Sequence, residues 1–440
     1  MTQIHINSQR LMDDLMAMAQ FTEPDTPGWT RRFPSLAYKR GREWLRAHME
    51  AEGLTTRLDD VGNLFGRRDP STTPAKPGSA QDASPLPPIF SGSHTDTVMG
   101  AGRYDGMLGV LGALEAARAI REAGITLWHP LVVADYLSEE VTDYAVACMG
   151  SMVLATRDFK VEWLSRSVND ISLRDAIADM GGSINPINQS ANQRIGPLMQ
   201  PGDIAASLEL HIEQGPVLEA KGVRLAAVSG IVGIRRAIFE IGGKSNHAGA
   251  TPMNMRKDAI AAFGQMIVAI EDIARRHAPN GNGAVGTIGK IDVKPNQGNV
   301  IANRVTTIPE MRSLDMNELD AMWAEFMQRA QLACDERDVT LALANETRLE
   351  SVRPPTWLHE TVMSVCQRLD PHAIATPSGA GHDTNYLSLI APAAMIFVPS
   401  IDGRSHAPEE HTNPADLALG VQALAEAIVA VDGVLHKPMS

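Results

Sequence analysis

Cysteine is scarce in this chain, with three residues among 440: Cys148, Cys334 and Cys366. They lie far apart and in no paired spacing, which excludes a disulfide framework and a zinc site built from thiolates. Such sparse use of cysteine indicates a reducing compartment.

Basic charge and long apolar runs are also limited. Lys and Arg number 39 against 52 Asp and Glu, a net charge of −13, which argues against a surface that coats nucleic acid or an acidic membrane. We find no run of the roughly 18 apolar residues that a spanning helix needs, and residues 1–20 lack the apolar core of a signal peptide. We therefore expect a cytoplasmic protein with no membrane and no nucleic-acid partner.

The first part of the chain alternates helix and strand patterns. Apolar residues recur at helical spacing over residues 35–49, and residues 57–65 have the pattern of a strand and turn. A strand ending near Ser91 precedes a small-residue helix over 106–123 and a buried strand over 131–137. This order predicts an α/β domain with a mixed sheet flanked by helices.

Two stretches rich in proline, glycine and small polar residues, 69–88 and 181–203, interrupt this pattern. We interpret the first as a surface loop. Between about residues 229 and 351 the order becomes strand, helix, strand, strand, helix, strand, which is a self-contained α+β unit. We predict a catalytic domain in two parts, residues 1–228 and 352–440, interrupted by a smaller inserted domain at 229–351.

Acidic and imidazole residues occur in three segments at or just beyond the ends of predicted strands: Ser93-His94-Thr95-Asp96-Thr97, Tyr104-Asp105-Gly106 and Ser138-Glu139-Glu140. In an open α/β sheet, ligands bind in the crevice beyond the carboxyl ends of the strands, so we expect these groups to converge there. A dinuclear hydrolytic site needs a bridging carboxylate, terminal imidazole and carboxylate ligands, and a free carboxylate as base.

These segments supply most of that set. His94 would bind one metal, Asp96 would hold the other ring nitrogen of His94, and Asp105 would bridge. The side chains of successive residues cannot point in the same direction. One of Glu139 and Glu140 would therefore bind metal while the other serves as general base.

The remaining ligands would come from His211 and His406, which lie among polar groups near the ends of apolar runs. Each motif alone also has a plain structural reading. His-x-Asp is common in surface turns, adjacent glutamates often start a solvated helix, and His211 could be a core histidine.

The ordered combination resembles the amidase/hydantoinase/carbamoylase branch of the dinuclear-zinc peptidase superfamily, over about residues 33–431. The strings that carry the resemblance are Gly92-Ser93-His94-Thr95-Asp96-Thr97, Gly102-Arg103-Tyr104-Asp105-Gly106-Met107-Leu108-Gly109, Leu210-His211-Ile212-Glu213-Gln214-Gly215-Pro216, His247-Ala248-Gly249-Ala250-Thr251-Pro252-Met253, Gly298-Asn299-Val300-Ile301, Ser378-Gly379-Ala380-Gly381-His382-Asp383 and Ser405-His406-Ala407-Pro408-Glu409-Glu410. The resemblance implies two domains, of which the inserted one is a lid or dimerisation domain that joins a homodimer. It also implies hydrolysis of a carbon–nitrogen bond in a ureido or amide substrate that carries a carboxylate.

The resemblance also assigns roles residue by residue. It implies two divalent cations, zinc first and manganese or cobalt as alternatives, and makes Glu139 the general base. His247 would stabilise the oxyanion from the neighbouring subunit. The implied metal ligands are His94, Asp105, Glu140, His211 and His406, and the implied substrate-binding residues are Gln214, Asn299, Arg312 and His382.

Some positions depart from the branch pattern. Val141, Asp143 and Tyr144 follow the acidic pair where the branch usually has Gly and then Arg-Phe, so an acidic group replaces a basic one and the tolerated substrate charge changes. An N-carbamoyl-L-amino acid is the first substrate choice, with allantoate, a ureidopropionate or an N-acyl amino acid as alternatives. A metal-free binding protein on the same scaffold is the alternative from another class.

Overall fold

The computed structural model describes residues 3–70, 86–184 and 194–436, so most of the predicted loop at 69–88 and the centre of the stretch at 181–203 lie outside the described residues. The chain divides into two compact units. What we call the first unit takes the described residues up to Ser229, with Pro354–Thr376 and those from Gly381 onward. The inserted unit takes Gly230–Arg353 and Pro377–Ala380. The sequence did not predict that Pro377–Ala380 belong to the inserted unit.

In chain order the helices are α1 (Ser8–Ala19), α2 (Leu36–Ala51), α3 (Met107–Glu122), α4 (Met149–Ala155), α5 (Leu173–Asp179), α6 (Val217–Lys221), α7 (Ala259–His277), α8 (Met316–Asp335), α9 (Thr356–Leu369), α10 (Thr384–Leu387) and α11 (Pro414–His436). The strands are β1 (Thr55–Leu58), β2 (Leu64–Arg68), β3 (Ile89–Ser93), β4 (Leu131–Asp135), β5 (Phe159–Lys160), β6 (Ser167–Val168), β7 (Ile171–Ser172), β8 (Arg194–Ile195), β9 (Ala206–Ile212), β10 (Ala226–Ile231), β11 (Gly233–Gly242), β12 (Val285–Lys294), β13 (Arg304–Ser313), β14 (Thr340–Leu349), β15 (Ile374–Ser378) and β16 (Ala393–Val398).

The main sheet of the first unit has the order β1-β2-β4-β3-β9-β16-β10-β15. Its centre, β4, β3, β9 and β16, is parallel, whereas β1, β2 and β10 pair antiparallel to their neighbours. Alternate residues of β3 and β4 enter two different apolar clusters, so side chains cover both faces of the sheet. The mixed sheet flanked by helices is the predicted fold class, and it brings the carboxyl ends of four parallel strands to one edge.

Helix α3 lies unusually close to this sheet because its inner face is built from small residues. A Cβ on Gly109 would lie 2.5 Å from the Ser93 Cβ and 2.7 Å from the Leu210 carbonyl oxygen. Every residue of α3 from Met107 to Ile120 is buried. The close approach fixes the start of α3, and with it the loop that carries Asp105, against the end of β3.

Helix α11 corrects one expectation. Its 23 residues make it long and apolar enough, by length and composition, to cross a membrane, whereas the sequence suggested no such stretch. Burial accounts for this composition. In the most apolar 18-residue stretch of the helix, 56% is buried inside the fold, and the helix packs against α3, α9 and β16. A helix covered on several sides is apolar for that reason.

The elements of the inserted unit follow one another as β11, α7, β12, β13, α8 and β14. Its sheet, β12-β13-β11-β14, is antiparallel throughout. Helices α7 and α8 pack on it through a core that includes Phe239, Trp323 and Phe326. Asp258 caps the start of α7 by accepting the N–H groups of Ile260 and Ala261.

Candidate metal and catalytic site

Asp105 lies between two histidines at the carboxyl edge of the main sheet. Its Oδ1 is 3.2 Å from His211 Nε2, and its Oδ2 is 3.0 Å from His406 Nε2. The loop that carries Asp105 follows the end of β3, His211 lies on β9, and His406 follows β16. One carboxylate therefore presents a different oxygen to each of two imidazoles, which is the geometry that a bridging ligand requires.

His94 and His211 both turn Nε2 toward the site. His94 Nδ1 contacts the main-chain carbonyl of Asp96 at 3.0 Å, and His211 Nδ1 contacts the Ile212 carbonyl at 2.8 Å. A carbonyl only accepts, so each Nδ1 keeps a proton, and Nε2 is the nitrogen that can give up its proton and bind a cation.

Asp96 corrects one predicted detail. We expected its side chain to hold His94 Nδ1, but that hydrogen bond goes to the main-chain carbonyl, with the carboxylate Oδ1 at 3.5 Å. The carboxylate instead accepts the main-chain N–H groups of Glu139 at 3.1 Å and Glu140 at 3.2 Å. Asp96 thus fixes the loop that presents the two glutamates.

The two glutamates point in different directions. Glu140 Oε1 lies 3.3 Å from His406 Nε2, whereas Glu139 Oε2 lies 3.7 Å from His94 Nε2. Potential ligand atoms form one group from His94, Asp105 and His211, and a second group from Asp105, Glu140 and His406. The two groups share Asp105, and Glu139 belongs to neither.

Burial and neighbouring charge separate the proton affinities of these carboxylates. Burial opposes ionisation of Asp105, but hydrogen bonds from His211 and His406 outweigh it and hold its pKa well below the usual range. Burial and the nearby Asp105 raise the pKa of Glu140 to about 7. Burial, reinforced by repulsion from Glu140, raises the pKa of Glu139 well above its usual value. Glu139 is therefore a strong proton acceptor beside the ligand groups.

Gln214 and His382 line the same site. Gln214 Nε2 lies 3.0 Å from Asp105 Oδ2, and within the described part of the chain its buried Oε1 has no hydrogen-bond partner. The His382 ring packs 4.6 Å from that of His211, and burial followed by the charge of His211 lowers its pKa well below the usual value. His382 is therefore a neutral imidazole.

His247 and Asn299 belong to the inserted unit. His247 Nδ1 accepts the main-chain N–H groups of Gly249 and Ala250, each at 3.1 Å. The proton of the neutral ring is therefore on Nε2, which leaves an exposed N–H donor. Asn299 is also exposed, and its carbonyl accepts the N–H of Ala248 at 2.9 Å, so the two predicted residues lie on adjoining loops.

Arg312 lies on β13 of the inserted unit and is already paired. Its Nε and Nη2 donate to Glu310 Oε1 at 2.8 and 2.6 Å, and Nη1 donates to the Gly379 carbonyl. A substrate carboxylate would therefore meet a guanidinium whose charge Glu310 partly offsets.

The donor set fits divalent cations. Three imidazole nitrogens and two carboxylates form the two groups, and the mixture of nitrogen and oxygen suits zinc, manganese or cobalt. A third group, from Glu209, His211 and His382, fits less well. Glu209 already accepts the hydroxyl groups of Ser93 at 2.7 Å and Thr384 at 2.6 Å.

Comparison with known proteins identifies the scaffold. The model of Peptidase family M20/M25/M40 matches residues 78–430. The chain is 33% identical to the N-carbamoyl-L-amino acid amidohydrolase of Geobacillus stearothermophilus over 419 residues, covering 95% of this chain and 97% of that protein. It is 32% identical to the allantoate amidohydrolase of Escherichia coli, with 95% and 96% covered.

The chain belongs to the M20/M25/M40 family. The solved structure of a hydantoinase/carbamoylase family amidase from Burkholderia multivorans superimposes with a TM-score of 0.85 at 30% identity, covering 97% of this chain and 98% of that one. The resemblance found in the sequence is thereby confirmed, and so is the fold class. This M20 family member is a metal-dependent hydrolase of carbon–nitrogen bonds.

The family departures occupy different environments. Val141 is 74% exposed. Asp143 Oδ2 lies 3.6 Å from Arg32 Nη1, so its charge is partly balanced. Tyr144 is buried, and its hydroxyl donates to the Ile171 carbonyl at 3.1 Å, which makes it a core residue.

Sequence reasoning missed Glu410, which joins two ligand loops. Its Oε1 accepts the main-chain N–H groups of Tyr104 at 2.9 Å and Asp105 at 3.2 Å, and its Oε2 accepts the Ser405 hydroxyl at 3.0 Å. The available signal was its place in the string that contains His406. That string gave no reason to prefer Glu410 over the adjacent, exposed Glu409.

Proposed function

We propose that this M20 family member hydrolyses the ureido carbon–nitrogen bond of an N-carbamoyl-L-amino acid and releases the amino acid, carbon dioxide and ammonia. The observation that carries the proposal is the sharing of Asp105 between two ligand groups, with Glu139 beside them and in neither. The named relatives act on ureido compounds, and this supports the substrate class.

The proposed ligands are His94, Asp105, Glu140, His211 and His406. Two divalent cations bound there, zinc first, would polarise the substrate carbonyl and acidify water. Glu139 takes the proton of the attacking water and passes it to the leaving nitrogen, a task that suits its raised proton affinity.

The inserted unit supplies the remaining proposed contacts. The Nε2–H of His247 stabilises the oxyanion, an interaction typically worth about 3 kcal/mol. Asn299 and Arg312 bind the substrate, with Gln214 and His382 from the first unit. We also propose a cytoplasmic homodimer, joined through the inserted unit, in which His247 acts on the partner's substrate. The three free cysteines agree with a reducing compartment.

Allantoate is the second candidate substrate, because the Escherichia coli relative is named for it. A panel of N-carbamoyl-L-amino acids, allantoate, 3-ureidopropionate and N-acetyl amino acids, assayed for ammonia or free amine with zinc, manganese or cobalt, separates the choices. We expect fastest release from a carbamoyl amino acid. Allantoate as the best substrate would replace the first choice, and no turnover of any compound would overturn the proposal.

Glu139→Gln tests the base without removing a ligand. We expect about two metal equivalents per chain in the wild type and in the variant, and a loss of kcat of at least about 10³-fold in the variant. Glu140→Gln is the matched comparison, because it should lower metal content as well as turnover. A fully active Glu139→Gln enzyme would refute the assigned role, and a wild type that binds no metal would favour a non-catalytic binding protein.

A further inference from the structure

Cys148 contacts the proposed base directly. Its thiol donates to Glu139 Oε1 across a sulfur–oxygen distance of 3.3 Å, and its main-chain N–H donates to the Glu139 carbonyl at 2.7 Å. One main-chain and one side-chain hydrogen bond thus join Cys148 to Glu139, which lies nine residues earlier in the sequence. The branch resemblance assigns no role to this position.

The main chain around Cys148 is rigidly held. The N–H groups of Met149 and Gly150 donate to the carbonyls of Ser138 at 2.9 Å and Leu137 at 2.8 Å, extending the contact made by Cys148. Cys148 itself has φ 47° and ψ 37°, a left-handed conformation that a residue with a Cβ adopts only when its surroundings hold it there. The thiol is therefore delivered to Glu139 by a fixed main chain.

The two oxygens of Glu139 have different surroundings. Oε1 accepts the Cys148 thiol, and Oε2 lies 3.7 Å from Nε2 of His94, the nitrogen turned toward the proposed cations. We propose that Cys148 is a positioning residue whose thiol holds Oε1, so that Oε2 alone faces the reacting water. This inference rests on the proposed role of Glu139 as general base.

We expect loss of the Cys148 thiol to lower kcat. Cys148→Ala removes the donor and frees the carboxylate to rotate, so we expect kcat to fall about 3- to 10-fold with KM changed less than about twofold, the range of one hydrogen bond. Cys148→Ser restores a donor and should recover most of kcat. Cys366→Ala, which removes a buried thiol on α9, is the matched control and should leave both constants unchanged.

A second measurement detects the contact without any turnover. Cys148 is partly exposed, whereas Cys334 and Cys366 are buried, so iodoacetamide should label Cys148 first. Burial, with the nearby Glu139 charge, raises the pKa of the Cys148 thiol. In the metal-loaded protein, Glu139→Gln should therefore speed labelling of Cys148 several-fold at about pH 8, as followed by peptide mass spectrometry.

Each of the two measurements can contradict the inference independently of the other. Equal labelling rates in wild type and Glu139→Gln would show that the thiol does not contact the carboxylate and would overturn the inference, whatever the enzyme hydrolyses. Wild-type kcat in Cys148→Ala, or no recovery in a folded Cys148→Ser, would overturn the positioning role. Absence of turnover in wild type would instead remove the proposed function on which the role depends.

Discussion

The ligand side chains differ in how firmly the protein holds them. His94 and His211 are buried and fixed through Nδ1 by main-chain carbonyls. His406 has 47% of its side chain exposed, and its Nε2 contacts Asp105 and Glu140. One ligand group is therefore held by the main chain, and the other depends on the loops that carry Asp105 and His406.

Glu410 is the residue that should control that second group, since it holds both loops. Glu410→Ala should lower metal affinity about 10- to 100-fold, the range for loss of an outer contact to a ligand. Metal titration followed by elemental analysis measures this. Glu409→Ala, at the exposed neighbouring position, should bind metal as the wild type does. Equal affinity in the two variants would show that Glu410 does not support the loops.

At the scale of elements, strand ends explain why much of the site could be predicted. His94, Glu139 and Glu140 follow buried parallel strands, and parallel strands place their carboxyl ends together. The contribution of Glu410 could not be predicted, because it joins segments about 305 positions apart in sequence. The sequence patterns also did not predict helix α1.

Gly106, the residue before α3, tests whether the start of this helix positions the proposed metal ligand His94. Gly106 has φ +67°, and a Cβ there would lie 2.4 Å from the His94 ring. Gly106→Ala should therefore displace His94 and reduce metal content, besides the strain of a left-handed alanine. Gly124→Ala is the matched control, because Gly124 has the same φ of +67° with nothing within 4 Å. Similar metal content in the two variants would contradict the assignment.

Across the whole molecule, the first unit concentrates carboxyl groups that resist ionisation. Burial raises the pKa of Glu140 to about 7, with Asp105 adding to the effect, and that of Asp383 to about 8, with Glu209 adding. The folded metal-free protein holds these protons more tightly than the unfolded chain does. The contribution of these two groups to stability is therefore greatest at low pH and is lost as pH rises from about 4 to about 8.

Cation binding should reverse this trend, because a cation stabilises the ionised carboxylates. With chelator present, we expect Tm to fall as pH rises from about 5 to about 8. The gain in Tm on adding zinc or manganese should grow over the same range, since a cation at a hundredfold excess over Kd stabilises the folded state by about 2.7 kcal/mol. Scanning calorimetry with and without metal measures both. A gain that does not change with pH would contradict the prediction, and Glu140→Gln should reduce the gain.

The ligands come from both sides of the inserted unit in the chain. His94, Asp105, Glu140 and His211 precede it, whereas His406 follows β16, which pairs with β9. A nascent chain that has emerged only through the inserted unit carries one complete ligand group and lacks the imidazole of the other. The second ligand group can therefore be completed only after the final segment has folded back beside His211.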